Sequence, residues 1–213
     1  MEEFSLWDDP SWEANFSVDG MREMRVPYLR KLTDLYYSHI TDSSVVIDEA
    51  RNWHCVTNVE MYIKIFGKRP KIICPVRNVE EIMASFVKVF ERNNLGWDYK
   101  KDAVGETFEK PYLQLRDLYN SKYRDCLMLV EYNNLTDDPH KILNSIYDFI
   151  EQPVYNHDLN SVKSNKSYKD VDAIYNLIGL HEIKSGVTIS ITDPREILSN
   201  EQRHKFEELT FWQ

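Results

Sequence analysis

The chain is predicted to be an α/β protein, a mainly parallel sheet flanked by helices, and three observations lead there. Short apolar, β-branched runs at residues 44–48, 71–76 and 126–130 have the composition of buried parallel strands. Between them lie stretches whose apolar residues recur three and four apart, as on one face of a helix. Strands separated by helices return in the same direction through right-handed crossovers.

The elements follow in order. Residues 1–18 carry Trp7 and Trp12 without periodicity and are expected to form an irregular arm. From Pro27, a suitable first helical residue, Leu29, Leu32, Leu35, Tyr36 and Ile40 mark an amphipathic helix ending near Thr41. The run from Ser44 to Asp48 is the first expected strand. Val59, Tyr62, Ile63 and Phe66 mark a helix closed by Gly67, and Lys71 to Val76 is the second strand. Val79, Ile82, Met83, Phe86, Val87 and Phe90 then trace a helix starting within a few residues of that strand's end. A polar excursion from Asn93 to Gly105 precedes a helix with Phe108, Tyr112, Leu115 and Tyr119. Cys126 to Val130 is the third strand. After it an aspartate can cap, and Pro139 can open, a helix bearing Leu143, Ile146, Tyr147 and Ile150.

With 213 residues, 42% of them hydrophobic, the chain can bury one substantial core, so one domain spanning 1–213 is expected, with its core at 44–153 and a closing segment at 154–213. No apolar run is long enough to span a membrane, and the start Met1-Glu2-Glu3-Phe4-Ser5 lacks the features of a secretory leader, so a soluble, cytoplasmic protein is expected. A net charge of −9 disfavours nucleic acid or an anionic membrane as partner, so an anionic ligand needs a local basic site. Cys55, Cys74 and Cys126 are too dispersed for a zinc motif and read as buried thiols; no metal is expected. The oligomeric state is not legible.

In such sheets ligands bind beyond the carboxyl ends of the strands, where helix N-termini offer N–H groups to anions. Arg77 leaves the second strand just before a helix, and Ser85 lies eight residues on. A guanidinium and a hydroxyl so placed can clasp one phosphate. Spacing alone leaves the alternative open: Arg77 merely caps the helix or pairs with Glu80 or Glu81, and Ser85 is an ordinary helix residue.

The segment from Val76 to Ser85 resembles the sulfotransferase family's stretch in which an Arg after a strand and a Ser eight residues later bind the 3′-phosphate of the sulfate donor. The stretch from Leu129 to Pro139, with the apolar helix ending Phe149-Ile150-Glu151-Gln152-Pro153, is similar to the same family's later strand, acidic-Pro turn and helix. The resemblance implies a fold like that of the phosphate-loop NTPases. The implied cofactor is 3′-phosphoadenosine 5′-phosphosulfate, leaving adenosine 3′,5′-bisphosphate as product, and the acceptor is a hydroxyl or amine on a small molecule or glycan. It places Asp48 where members carry an acidic base or substrate orienter, with Glu49 where Lys is frequent and His54 as the second candidate base. Asp48 as a turn cap and His54 as a packing residue are the structural alternatives. Lys184 and Arg195, in a stretch like the family's closing loop, are the implied phosphate-facing cations.

One departure bears on activity. Members open with a strand and a Pro-Arg-Ser/Thr-Gly loop around the 5′-phosphosulfate, whereas the six glycines here, Gly20, Gly67, Gly96, Gly105, Gly179 and Gly186, lie in no such loop. The first strand and loop are therefore missing from this sequence: either the chain lacks its natural N-terminus or it is a remnant that keeps the fold without the activity. The first is expected, because a parallel sheet lacking a central strand would expose unpaired backbone on two strands and a large apolar gap. A non-catalytic nucleotide-binding or assembly module on the same fold is the alternative to an enzyme. A phosphate-loop kinase relative is disfavoured by the absence of Gly-x-x-x-x-Gly-Lys-Ser/Thr. Trp53, Trp97, Tyr99 and Tyr112 are candidates to line an acceptor pocket or to pack.

Overall fold

The computed structural model describes residues 18–40, 45–49, 52–96, 108–162, 185–187 and 193–212, with backbone alone for 18–23. The arm at 1–17 and Lys184 lie outside the described residues. The chain divides into two units, one of residues 1–53 and 57–70, the other of residues 54–56 and 71–213.

In the first unit, α1 spans Val18–Tyr36 and α2 spans Val56–Phe66, whose first residue belongs to the second unit. Pro27 lies inside α1 rather than at its start, a correction to the expected boundary. A proline removes one N–H and normally marks a first turn, but Met24 and Tyr28 keep the apolar spacing across it and the helix runs on. Arg30 Nε donates to the Ile65 carbonyl at 2.5 Å, tying α1 to the end of α2. Gly67 ends α2 as expected, with φ of 69° and its N–H bonded to the Ile63 carbonyl at 2.8 Å.

The expected first strand is not found. Residues 45–49 have no ladder partner among the described residues, and Val45, Val46 and Ile47 are 53, 47 and 84% exposed. A short apolar run becomes a strand only where a neighbour completes its hydrogen bonds, which composition cannot supply.

The second unit holds the sheet. β1, Ile72–Val76, pairs in parallel with β2, Leu127–Glu131, with Ile72 opposite Leu127 and Val76 opposite Glu131. This parallel pair, with helices between and after its strands, is an α/β arrangement. β1 and β2 pair directly, with no strand between them. β1 is also covered on one face only: Ile72 and Val76 are buried while Ile73 and Pro75 are exposed. Pro75 carries no ladder donor and so suits an edge strand.

Helix α3, Val79–Arg92, starts three residues after β1. Asn78 caps it, accepting from the Glu80 N–H at 2.9 Å. Its apolar face, Val79, Met83, Ala84 and Val87, forms a core with Leu198 and Phe206 of the C-terminal segment, flanked by Phe108, Ile197, Leu209 and Trp212. That segment begins with a 3-10 turn, Pro194–Glu196, and α7 at Asn200–Glu207, whose Ser199 and Gln202 form a capping box. Helix α4 covers Glu109–Tyr119 and is followed by a 3-10 turn, Arg124–Cys126, into β2. After β2 the chain forms a short helix unforeseen in the sequence, α5 at Tyr132–Asp137. Asp138 then caps α6, Pro139–Phe149, accepting from the Lys141 N–H at 3.1 Å, with Pro139 opening the helix as the sequence predicts.

Candidate functional site

The carboxyl ends of β1 and β2 lie side by side, and the register sets what meets there. Val76 is opposite Glu131, so Arg77 and Tyr132 each emerge one residue beyond paired strand ends. The Arg77 guanidinium lies 4.6 Å from the centre of the Tyr132 ring. Its Nε donates to Glu81 Oε2 at 2.6 Å, with both side chains largely covered. Ser85 follows Glu81 by one further turn of α3, so Glu81 and Ser85 share a helix face, while Arg77 precedes the Asn78 cap and reaches Glu81 from outside the helix.

Arg77 thus stands just before the α3 N-terminus with its guanidinium on Glu81, and Ser85 lies one turn beyond that carboxylate. A phosphate there would meet a pre-oriented guanidinium, a half-buried hydroxyl and the positive end of a helix dipole. It would have to share Arg77 with Glu81. Burial pushes the Glu80 carboxyl up, opposed by Arg203 and reinforced by Glu207 and Glu81, so the first turn of α3 is crowded with acid. The donor set suits one phosphate, provided Glu81 yields or turns aside. Tyr132 was missed in the sequence; aligning the first residues after two parallel strands is the signal that finds it.

The candidate bases sit in different units and have different surroundings. Asp48 is exposed, and its Oδ2 accepts from Trp53 Nε1 at 2.9 Å. His54 is bonded to the backbone of Pro111, whose only hydrogen-bonding group is its carbonyl. His54 Nε2 is buried with no partner among the described residues, so Nδ1 is the donor and Nε2 carries the lone pair of the neutral ring. Burial lowers the His54 pKa below its usual 6.5, partly offset by the Pro111 bond.

Arg195 is exposed and clasped by Asp193, with Nε at 3.0 and 3.1 Å and Nη2 at 2.8 Å from the carboxylate oxygens. That fork holds the Asp193 carboxyl down to about 2. Trp97 and Tyr99 lie outside the described residues, while Tyr112 stacks on Phe108 and meets Phe211 edge-on, a packing role. A cavity of about 250 Å³ opens instead along β2, with Tyr119, Arg124, Glu131, Asn134 and Trp212 among its walls. Arg124 Nη1 donates to the Leu127 carbonyl at 2.6 Å and its guanidinium lies 4.4 Å from the Tyr119 ring centre.

Among the described residues no group of acidic, His or Cys side chains could hold a metal ion, and no helix is long and apolar enough to cross a membrane. No curated protein and no solved structure gives a match. The family model described as the sulfotransferase family matches residues 14–156, about two thirds of the chain, a span that contains Asp48, His54, Arg77, Ser85 and Tyr132. The chain belongs to the sulfotransferase family.

Proposed function

We propose that this protein binds 3′-phosphoadenosine 5′-phosphosulfate and transfers its sulfuryl group to a hydroxyl or amine of a small-molecule or glycan acceptor. The observation that carries the reading is Arg77, fixed at the end of β1 by Tyr132 and by Glu81, whose helix face also bears Ser85. When bound, the donor supplies an activated sulfur and a bisphosphate leaving group. Arg77 and Ser85 would hold the 3′-phosphate, with the α3 N-terminus adding its dipole. Arg195, with Lys184, would approach the donor only by sharing its charge with Asp193.

Asp48 is the base we favour for the acceptor proton. Its carboxylate is open to solvent and braced by Trp53, whereas the His54 lone pair is enclosed, where no acceptor reaches it without rearrangement. The cavity along β2 begins beside Glu131, next in sequence to Tyr132, and offers aromatic walls with polar groups for an acceptor. A cytoplasmic location belongs to the same reading; all three cysteines are thiols, as a reducing compartment would keep them.

Glu81 also favours a second reading, a nucleotide-binding or assembly module without catalysis. Its carboxylate occupies Arg77, and the sequence given has no glycine-rich loop for the 5′-phosphosulfate. Calorimetric titration with adenosine 3′,5′-bisphosphate tests the shared premise, and no binding at millimolar ligand sinks both readings. Transfer of labelled sulfate from the donor to a panel of phenols, amines and sugars separates them: transfer supports the enzyme, and binding without transfer supports the module.

A further inference from the structure

β2 pairs with β1 along one edge, and among the described residues no strand pairs with its other edge. Met128, Leu129, Val130 and Glu131 all line the cavity of about 250 Å³. Successive side chains point to opposite faces of a strand, so a cavity that meets all four runs along the edge of β2 rather than over one face. Leu127 fixes which backbone groups look into it. Its N–H donates to the Arg124 carbonyl and its own carbonyl accepts from Arg124 Nη1 at 2.6 Å, so both face away from β1. The N–H and carbonyl of one residue share an edge and those of the next face the other. Both groups of Leu129 and the N–H of Glu131 therefore turn outward as well. β1 is a poorer template, because Pro75 has no donor to give.

Two charges close the ends of this edge. Arg124, tied to Leu127, holds its guanidinium 4.4 Å from the Tyr119 ring centre. Glu131 stands four residues beyond Leu127, about 13 Å along the strand, and its carboxylate accepts from Asn134 Nδ2 at 3.3 Å. Neither Arg124 nor Glu131 forms an ion pair among the described residues. We infer that β2 takes up an extended peptide strand of a partner protein along this edge, with an acidic side chain against Arg124 and a basic one, four residues away, against Glu131. Main-chain bonds to Leu129 and Glu131 supply affinity, and the end charges set register and direction. A third strand also suits a sheet of two, which is marginal alone. A recess this narrow admits one extended chain, whereas the β2 edge of a second copy lies equally deep within its own. The inference is independent of the sulfotransferase reading, and a strand in this cavity excludes the acceptor which that reading places there.

The probe is the acetylated, amidated peptide Lys-Val-Thr-Val-Glu, titrated into the full 213-residue chain while backbone amides are followed by nuclear magnetic resonance. It is expected to bind with a dissociation constant on the order of 0.1–1 mM and to slow exchange of the Leu129 amide. N-methylation of its three central residues is expected to weaken binding at least about 10-fold, and Glu131→Gln or Arg124→Gln in the protein about 3- to 10-fold. Because Arg124→Gln also loosens the turn before β2, the peptide Lys-Val-Thr-Val-Lys, expected to bind wild type about 3- to 10-fold more weakly, tests the charge with the fold untouched. Equal binding by the N-methylated or the doubly basic peptide, or none at about 5 mM, overturns the inference. So does a Leu129 amide already protected in the free chain: protection independent of protein concentration assigns the edge to a segment of this chain, and protection that rises with concentration assigns it to a second copy.

Discussion

Arg77 Nε lies 2.6 Å from Glu81 Oε2, four residues apart and both mostly covered, so the residue best placed to hold a phosphate is already held by an acid. The contact aims the guanidinium and neutralises part of its charge. An anion arriving at the α3 N-terminus must therefore compete with Glu81 or displace it.

Removing each partner should have opposite effects. Arg77→Ala is expected to weaken adenosine 3′,5′-bisphosphate binding by about 1.5–3 kcal/mol, the usual size of a hydrogen bond to a charged group. Glu81→Gln is expected to tighten it by roughly 3- to 10-fold, as a carboxylate beside the site is lost. Ser85→Ala should weaken it less than Arg77→Ala does. Titration calorimetry of the three variants checks the order, and tighter binding in Arg77→Ala would end the assignment.

The base is separable from the binding residues by kinetics. Asp48→Asn is expected to leave bisphosphate affinity unchanged and to lower turnover by about 10²-fold or more. If Asp48→Asn keeps full turnover while His54→Gln loses it, the role passes to His54, and the enclosure of Nε2 must open during the reaction.

His54 should also make the fold sensitive to acid. Its folded pKa lies below its usual value, so between 6.5 and that lower value the unfolded chain binds more protons. Stability from the neutral ring is complete above pH 6.5 and is lost as pH falls through this window. The melting temperature of wild type is expected to drop more steeply from pH 7 to 5 than that of His54→Gln. Parallel curves would show that His54 titrates as freely as in the unfolded chain.

Met83, fully buried between α3 and the C-terminal segment, tests what positions the site. Met83→Ala is expected to cost about 2–5 kcal/mol in chemical denaturation, through lost burial and the cavity left behind. A cost below 1 kcal/mol would mean that the C-terminal segment is not seated on α3.

Much of this was legible because its causes are local. The spacing along α3, the Asp138-Pro139 start of α6 and the Gly67 stop each depend on residues within a turn or two of one another. Residues 45–49 have the composition of a strand, yet their state depends on a neighbour that no local pattern specifies. Pro27 misled because a proline suits a first turn and can also be carried within a longer helix. At the site, Arg77 with Ser85 came from spacing, and pairing of Arg77 with Glu81 was one of two open readings. Tyr132 required the register of strands 55 residues apart, 127 less 72, which the sequence does not display.

That separation shapes how the protein can assemble. Closing a loop of 55 residues to pair Ile72 with Leu127 costs on the order of 3.5 kcal/mol of chain entropy before the first ladder bond forms. Helices α3, α4 and α6 meet no such barrier, so they are expected to form while the two strands are still apart. During that interval Ile72, Val76, Leu127 and Val130, all buried in the finished fold, face solvent on strands with unsatisfied edges. The rate at which α3 and α4 shorten the effective loop then decides whether a nascent chain meets its own second strand or another molecule's.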